Sequence, residues 1–220
     1  MEKIMSDFKI SPSLASTPLL DLKTAVQDLV ESGVDYIHFD IEDGSFVPVM
    51  TLGTKILADL RPVTDLPFDV HLMMVNPDWL IPELIQDGAD RISIHYEACP
   101  YPRKTLRLIV DGGCSAGLAF NPATPIPDLE YLAHYLSFLV ILTTEPEGPD
   151  CPFLPAVLNK VKEGKKNQYL KDLEWVVDGG VNSDNIQEVI RAGADTVVVG
   201  RAAFQGGKIS QNISKLRKQG

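Results

Sequence analysis

The sequence predicts a compact (β/α)₈ barrel, and three observations support this fold class. A helical pattern that ends in glycine, followed by aspartate and a β-branched run, recurs in "ESGVDYIHFD", "QDGADRISIH" and "RAGADTVVVG". Glycine after a helix allows the chain to reverse in a left-handed conformation, so each repeat is typical of one helix-to-strand unit. The runs after the aspartates are short and rich in Val, Ile and Tyr, as in buried parallel strands. A length of 220 residues suits one barrel of this kind.

The elements alternate regularly along the chain. Eight strands are predicted at Lys9–Ser13, Tyr36–Ile41, Phe68–Met73, Ile92–His95, Ser115–Phe120, Leu139–Thr143, Trp175–Asp178 and Thr196–Gly200. Eight helices are predicted at Leu19–Glu31, Thr51–Leu60, Trp79–Gln86, Arg103–Val110, Ile126–Leu132, Leu154–Lys162, Ser183–Arg191 and Ile209–Lys218. A doubly wound open sheet is the alternative topology. No linker or change of composition divides the chain, so residues 1–220 are predicted to form a single domain.

Composition excludes several classes of function. The formal net charge is −10, which argues against nucleic-acid binding, and no apolar run is long enough to span a membrane. The three cysteines are scattered without a CxxC pair, and the N-terminus lacks an apolar signal region. These features predict reduced thiols and a cytoplasmic location. A net negative charge does not attract an anionic substrate, so any phosphate site must rely on local groups such as backbone N–H groups or an arginine.

Polar side chains occur at predicted strand ends, where barrels of this kind place their active sites. Alternation puts His38 and Asp40 on one face of the second strand and His71 on the corresponding face of the third. The seventh strand ends at Asp178. Two imidazoles and two carboxylates suit Zn²⁺, Mn²⁺, Fe²⁺ or Co²⁺, so one divalent metal ion is predicted here. The alternative is that these histidines are ordinary hydrogen-bonded core residues.

Glycines follow the last two predicted strands, in "VDGG" and "VVVGRAAF". In many barrels the loops at these positions bind phosphate through backbone N–H groups. Gly179, Gly180, Gly200 and Arg201 are therefore candidate phosphate-binding residues. Tight turns and a surface arginine are the alternative explanation.

The sequence resembles the ribulose-phosphate 3-epimerase family along nearly its whole length. The matching segments are "ISPSLAS", "HFDIEDGSFVP", "DVHLM", "GADRISIHYEA", "NPATP", "VDGGVN" and "GADTVVVGRAAF". The resemblance implies a barrel that epimerises C3 of a pentulose 5-phosphate with a bound divalent metal. It also implies a homo-oligomer that acts on a small sugar phosphate.

The resemblance extends to individual positions. His38, Asp40, His71 and Asp178 match the metal ligands of the family, and the two aspartates match its acid–base pair. Ser13 and Met73 match further active-site positions, and His71 is expected to contact substrate as well as metal. The metal would polarise the ketone and stabilise the enediolate formed between two proton transfers. His95 and Glu97, at the end of the fourth strand, are expected to support the site from below.

Three departures from the family pattern stand out. Glu42 occupies a position that usually holds methionine, and alternation directs it inward, which makes it a candidate substrate contact. Leu142 replaces a second methionine, at the end of the sixth strand. The following loop usually reads about "PGFGGQ", but here it is "PEGPDC", with two acids and a proline. These changes predict a pocket of different shape, with the phosphate held mainly by the last two loops and Arg201.

Two other functions remain open from the sequence. A degenerate barrel that only senses a sugar phosphate would explain the altered sixth loop. A related sugar-phosphate decarboxylase or isomerase would share the fold, but such enzymes usually carry a lysine at the second or third strand end. Neither "IHFDIEDG" nor "DVHLMM" contains one.

Overall fold

A computed structural model describes residues 8–146, 148 and 151–220 of the chain. All of its strands belong to one parallel sheet, in the order β1-β8-β7-β6-β5-β4-β3-β2. The strands are β1 (Lys9–Pro12), β2 (Ile37–Glu42), β3 (Phe68–Met73), β4 (Arg91–His95), β5 (Ser115–Phe120), β6 (Phe138–Leu142), β7 (Glu174–Asp178) and β8 (Thr196–Val199). A parallel bridge between Ser13 and His38 brings β1 beside β2. The sheet is therefore a nearly closed barrel, and the predicted fold class is confirmed.

Helices surround the barrel. They are α1 (Leu22–Glu31), α2 (Lys55–Leu60), α3 (Ile81–Gln86), α4 (Pro102–Asp111), α5 (Leu158–Gly164), α6 (Ile186–Arg191), α7 (Arg201–Phe204) and α8 (Ile209–Gln219). Each strand presents one face to this layer, as Ile37, Phe39 and Ile41 of β2 do, all at most 5% exposed. No helix in the described ranges is long and apolar enough to cross a membrane.

One predicted helix was wrong. Residues Ile126–Leu129 have no regular structure, residues 130–132 form a turn, and the nearest helical element is a short 3₁₀ turn at Ala133–Tyr135. Leu129 and Leu132 are buried at a spacing of three, which imitates a helical pattern. Pro127 lacks a donor N–H and disfavours helical conformation in the residue before it, so the segment stays irregular.

The short segment before α2 also differs from the prediction. The helix begins at Lys55, four residues later than expected from Thr51, because Leu52 forms a bridge with Ile41 at the end of β2. Helix α7, directly after β8, was not predicted as a separate element.

The interior of the barrel has two different halves. On the side of β5 to β8 it contains an apolar cluster made of Ala119, Phe138, Val140, Leu142, Val176 and Val198, although Glu174 and Asp178 of β7 also reach polar partners on the other side. On the side of β1 to β4 it contains buried polar and charged side chains, among them Ser11, His38, Asp69, His71 and Arg91. Buried charge is costly unless it is paired. A concentration of buried polar and charged side chains therefore indicates where a functional site lies.

Candidate metal centre and active site

Strand pairing brings the four predicted ligands together. Asp40 lies opposite His71 in the ladder between β2 and β3, and Asp178 ends β7 opposite Leu142 of β6. Side chains alternate along each strand, so His38 and Asp40 both point into the barrel. His38, His71 and Asp40 are buried, at 1%, 0% and 8% exposure.

The four side chains converge on one point. One donor atom from each of His38, Asp40, His71 and Asp178 lies within 4.8 Å of the others. His38 Nε2 is 3.2 Å from Asp40 Oδ1 and 3.8 Å from Asp178 Oδ2. His71 Nδ1 is 3.3 Å from Asp178 Oδ2 and 3.6 Å from Asp40 Oδ1. These distances leave the donor atoms facing a shared centre.

The cluster fits a divalent metal ion. His71 Nδ1 is a buried nitrogen without a hydrogen-bond partner, although it faces two carboxylates, as a nitrogen that uses its lone pair for a metal would. Two imidazole nitrogens and two carboxylate oxygens are a ligand set that Zn²⁺ and other first-row divalent ions accept. The four residues could therefore hold one such ion.

Electrostatics favour a cation at the same place. Burial opposes the charged form of His38, but Asp40 and Asp69 outweigh it and raise the pKa of the imidazole well above its ordinary value. Burial also acts to raise the pKa of Asp40, but His38 and His71 oppose it and hold that pKa far below the usual range. Both shifts have the same origin, the attraction between the buried carboxylates and the imidazoles in their charged forms, so the carboxylates stabilise positive charge at this place.

Each histidine is oriented by a second partner. His38 Nδ1 lies 2.8 Å from Asp69 Oδ2, and His71 Nε2 lies 2.9 Å from His95 Nε2. His95 Nδ1 is in turn 3.2 Å from Glu97 Oε2. Burial lowers the pKa of His95 to about 4, so this imidazole is neutral at pH 7. His95 and Glu97 thus adjoin the cluster through His71.

A large cavity opens above the cluster at the carboxyl ends of the strands, with a volume of about 920 Å³. Its lining includes nine of the predicted site residues: Ser13, Asp40, Glu42, Met73, Asp178, Gly179, Gly180, Gly200 and Arg201. His71, which the resemblance also implies as a substrate contact, is completely buried. Ser13 donates a hydrogen bond of 2.5 Å from its Oγ to Asp40 Oδ2 and so fixes that carboxylate.

The glycines of the last two loops lie along one wall of this cavity. Gly179 has a φ of +108° and packs so closely that an added Cβ would lie 2.4 Å from Thr144 Oγ1. A Cβ on Gly200 would lie 2.5 Å from Ser16 Oγ. Both positions therefore require glycine, and its small size leaves backbone N–H groups accessible at the wall.

Glu42 has a defined place at the rim. Its Oε2 accepts a hydrogen bond from the backbone N–H of Thr51 at 2.7 Å, and the side chain is half buried. Burial, reinforced by the charge of Asp40, raises the pKa of Glu42. The carboxylate is therefore held at the cavity wall.

The sixth loop is described only in part. Glu147, Pro149 and Asp150, on which the predicted weakening of the phosphate site depends, lie outside the described residues. Gly148 and Cys151 line the cavity, and so does Leu142, which is 4% exposed. An apolar side chain thus occupies the position where the family carries methionine.

Two site residues were missed in the sequence. Asp69 shares its strand face with His71 and Met73, so alternation in "FDVHLM" was the signal that could have identified it. Thr51 contributes only a backbone N–H, and no sequence pattern indicates such a contact.

The fold and the site together define a class of protein, a (β/α)₈ barrel with a His/Asp cluster that could hold a metal ion and with two carboxylates facing one cavity. A model of the "Ribulose-phosphate 3 epimerase family" matches residues 9–204. The chain belongs to this family. It is 40% identical over 212 residues to the ribulose-phosphate 3-epimerase of Bacillus subtilis (strain 168), covering 95% of this chain and 98% of the relative. It is 35% identical over 218 residues to that of Escherichia coli (strain K12), covering 98% and 97%.

Solved structures of more distant proteins share the fold. A 3-hexulose-6-phosphate synthase superposes with a TM-score of 0.70 at 15% identity, covering 96% of this chain and 99% of the other. A thiamine phosphate pyrophosphorylase from Pyrococcus furiosus gives 0.66 at 17% identity, covering 98% and 96%. At such identity these likenesses concern the fold alone.

Proposed function

We propose that this protein is a metal-dependent 3-epimerase of a ketose phosphate, which interconverts ribulose 5-phosphate and xylulose 5-phosphate or a closely related pair. The observation that carries the proposal is the convergence of His38, Asp40, His71 and Asp178 within 4.8 Å at a cavity, in a member of the ribulose-phosphate 3-epimerase family.

The two aspartates act as the acid–base pair. The carboxylate of one aspartate takes the proton from C3, and the electrons of the broken C–H bond move into the adjacent C2 carbonyl. The other aspartate, as a carboxylic acid, then returns a proton to the opposite face of C3, and the carbonyl forms again. Asp40 and Asp178 approach the shared centre from β2 and β7, so they can address two faces of one carbon. In the reverse direction they exchange roles.

His38, Asp40, His71 and Asp178 would hold the metal ion. When bound, the ion supplies positive charge that stabilises the negative oxygen developing beside the reacting carbon. Ser13 keeps one oxygen of Asp40 engaged, so this carboxylate stays oriented throughout the reaction. Zn²⁺, Mn²⁺, Fe²⁺ and Co²⁺ all suit this ligand set.

The phosphate end of the substrate lies along the glycine wall. Gly179, Gly180 and Gly200 offer backbone N–H groups, and Arg201 adds a positive charge at the rim of the same cavity. Met73 packs against the reacting end of the substrate, while Glu42 accepts a hydrogen bond from a substrate hydroxyl.

The other functions weighed from the sequence are less well supported. No lysine lines the cavity among the residues that the structure describes, which disfavours a lysine-dependent decarboxylase or isomerase. A sensor would not require two carboxylates at a metal cluster, and both are present. The proposal further includes a single domain over residues 1–220, a cytoplasmic location and a homo-oligomer, with no nucleic-acid or membrane partner.

A conversion assay tests the proposed function. The protein is stripped with a chelator, reloaded separately with Zn²⁺, Mn²⁺, Fe²⁺ or Co²⁺, and incubated with ribulose 5-phosphate while xylulose 5-phosphate is followed by NMR. At least one metal should restore conversion to the stripped protein. A lack of conversion with every metal, and with other ketose phosphates, would refute the proposal.

A further inference from the structure

Beneath the predicted metal ligands lies a carboxylate that the proposed reaction does not use. Asp69 is 1% exposed and is the second residue of β3. It lies beside His38 in the ladder with β2 and beside Arg91 in the ladder with β4. A charge buried this deeply needs a compensating role or partner.

The contact between Asp69 and His38 fixes the tautomer and the orientation of the His38 imidazole. His38 Nδ1 lies 2.8 Å from Asp69 Oδ2, while Nε2 points towards Asp40 and Asp178. A carboxylate accepts hydrogen bonds, so Asp69 keeps the proton on Nδ1 and leaves the lone pair of Nε2 for a metal. It also prevents rotation of the ring away from the cluster.

Asp69 is itself held rigidly. Ser11 Oγ donates to Asp69 Oδ2 at 3.0 Å, and Arg91 Nε lies 3.0 Å from Asp69 Oδ1. Arg91 also pairs with Glu174 at 2.8 Å, and Glu174 accepts a hydrogen bond from Thr196. The guanidinium and the hydroxyl both act as donors towards Asp69, and this surrounding suits a carboxylate.

The second histidine has a different kind of partner. His71 Nε2 contacts another imidazole, that of His95, whereas His38 Nδ1 contacts the carboxylate of Asp69. An anionic partner increases the basicity of an imidazole more than a neutral one, because it stabilises the positive charge that the ring acquires on binding a cation. Of the two histidines, His38 is therefore the one whose affinity for a metal ion depends on the charge of its hydrogen-bond partner, Asp69.

We propose that Asp69 is a positioning residue for this epimerase, which orients His38 and strengthens its bond to the metal, with Arg91 and Ser11 as its supports. The inference rests on the proposed metal site. It means that part of the affinity for the metal ion depends on Asp69, a residue that is not itself a ligand.

Zinc binding tests the inference directly. Metal-free protein is titrated with Zn²⁺ in competition with a chromophoric chelator, for the wild type and for Asp69→Asn. The asparagine keeps the size of the side chain and removes its charge. The expected result is an affinity roughly 10- to 100-fold lower, as is usual when the partner of a metal-binding histidine is removed.

Two further variants keep the test decisive. Asp69→Asn leaves Arg91 without one of its carboxylates, so the double variant Asp69→Asn/Arg91→Met removes both charges and should show the same loss of affinity even if the single variant does not fold. Thr196→Val removes a hydrogen bond at the far end of the network and should bind Zn²⁺ like the wild type. Unchanged zinc affinity in a folded Asp69 variant, or an equal loss in Thr196→Val, would overturn the inference. Failure of the wild type to bind any metal would instead refute the proposed function.

Discussion

The Glu42 carboxylate and the Thr51 backbone N–H are joined by a hydrogen bond of 2.7 Å. The contact ties the end of β2 to the segment that leads into α2, and it holds an acidic group at the wall of the substrate cavity. A family that usually places methionine here offers substrate an apolar surface. In this protein the same wall presents a hydrogen-bond acceptor.

Replacement of Glu42 is expected to change substrate binding more than turnover. Glu42→Met should raise the KM for ribulose 5-phosphate by about 10- to 100-fold, because a hydrogen bond to a charged group contributes roughly 1.5–3 kcal/mol. The kcat should change much less, since Glu42 does not transfer a proton in the proposed mechanism. Steady-state kinetics with the metal-loaded enzyme measure both constants.

Glu42→Gln serves as the matched control. Glutamine can still accept the hydrogen bond from Thr51, but it offers the cavity a neutral amide instead of a carboxylate. An increase in KM for both variants supports a contact with substrate. If glutamine leaves KM unchanged and only methionine raises it, the role of Glu42 is confined to holding Thr51.

Arg201 is expected to contribute to phosphate recognition. It lines the cavity directly after Gly200, as the first residue of α7, the helix that follows β8. Arg201→Gln should raise the KM for a phosphorylated ketose about 10-fold with little effect on kcat, because the charge contacts phosphate equally in the ground state and the transition state. Initial rates over a range of substrate concentrations provide the measurement.

Lys208→Gln is the charge-matched comparison for Arg201. Lys208 is exposed and is not part of the cavity wall, but its replacement changes the net charge by the same amount. Its KM should equal that of the wild type. Equal effects of the two substitutions would mean that only the overall field matters and that Arg201 makes no contact with phosphate.

Glu97 makes part of the stability depend on pH. Burial acts to raise its pKa, but hydrogen bonds from His95, Thr124 and Asn121 outweigh this and lower it from 4.5 to about 2. Between these pH values the unfolded chain binds more protons at this position than the folded protein does. The stabilising contribution is therefore complete above about pH 4.5 and is lost as the pH falls towards 2.

Urea unfolding of the wild type and of Glu97→Gln at several pH values measures this contribution. The difference in unfolding free energy should be largest near pH 6 and should shrink as the pH falls from 4.5 to 3. Asp111→Asn, which removes an exposed ion pair with Arg107, should cost less than about 1 kcal/mol at every pH. A Glu97 effect that is constant with pH would contradict the assignment.

Much of the fold was predictable because its signals are local. Glycine after each helix and a short apolar run after each aspartate indicated the repeated unit, and alternation within "IHFDIE" identified which side chains point inward. The same alternation correctly placed His38, Asp40 and Glu42, since a strand of parallel sheet has a fixed period of two. Strand ends at one edge of a barrel then had to converge.

The features that were missed depend on contacts distant in sequence. Asp69 forms its contacts with β1, β2 and β4, so its buried partners are not visible in its own segment. The helix predicted at Ile126–Leu132 was wrong although the spacing of buried leucines is real. Pro127 has no N–H to donate and disfavours helical conformation in that segment. The late start of α2 follows from the bridge between Ile41 and Leu52, again a pairing across the fold.

Proton exchange at C3 tests the central claim most directly. The metal-loaded enzyme is incubated with ribulose 5-phosphate in D₂O, deuterium at C3 is followed by NMR, and the metal content of every variant is measured. The wild type should incorporate deuterium and form xylulose 5-phosphate, and Asp178→Asn should slow the formation of xylulose 5-phosphate by about 10²- to 10⁴-fold, as loss of a general acid or base does. Asp172→Asn, an exposed aspartate near the start of β7, should exchange like the wild type. Undiminished formation of xylulose 5-phosphate by metal-loaded Asp178→Asn, or no deuterium incorporation in the wild type, would contradict the two-carboxylate mechanism.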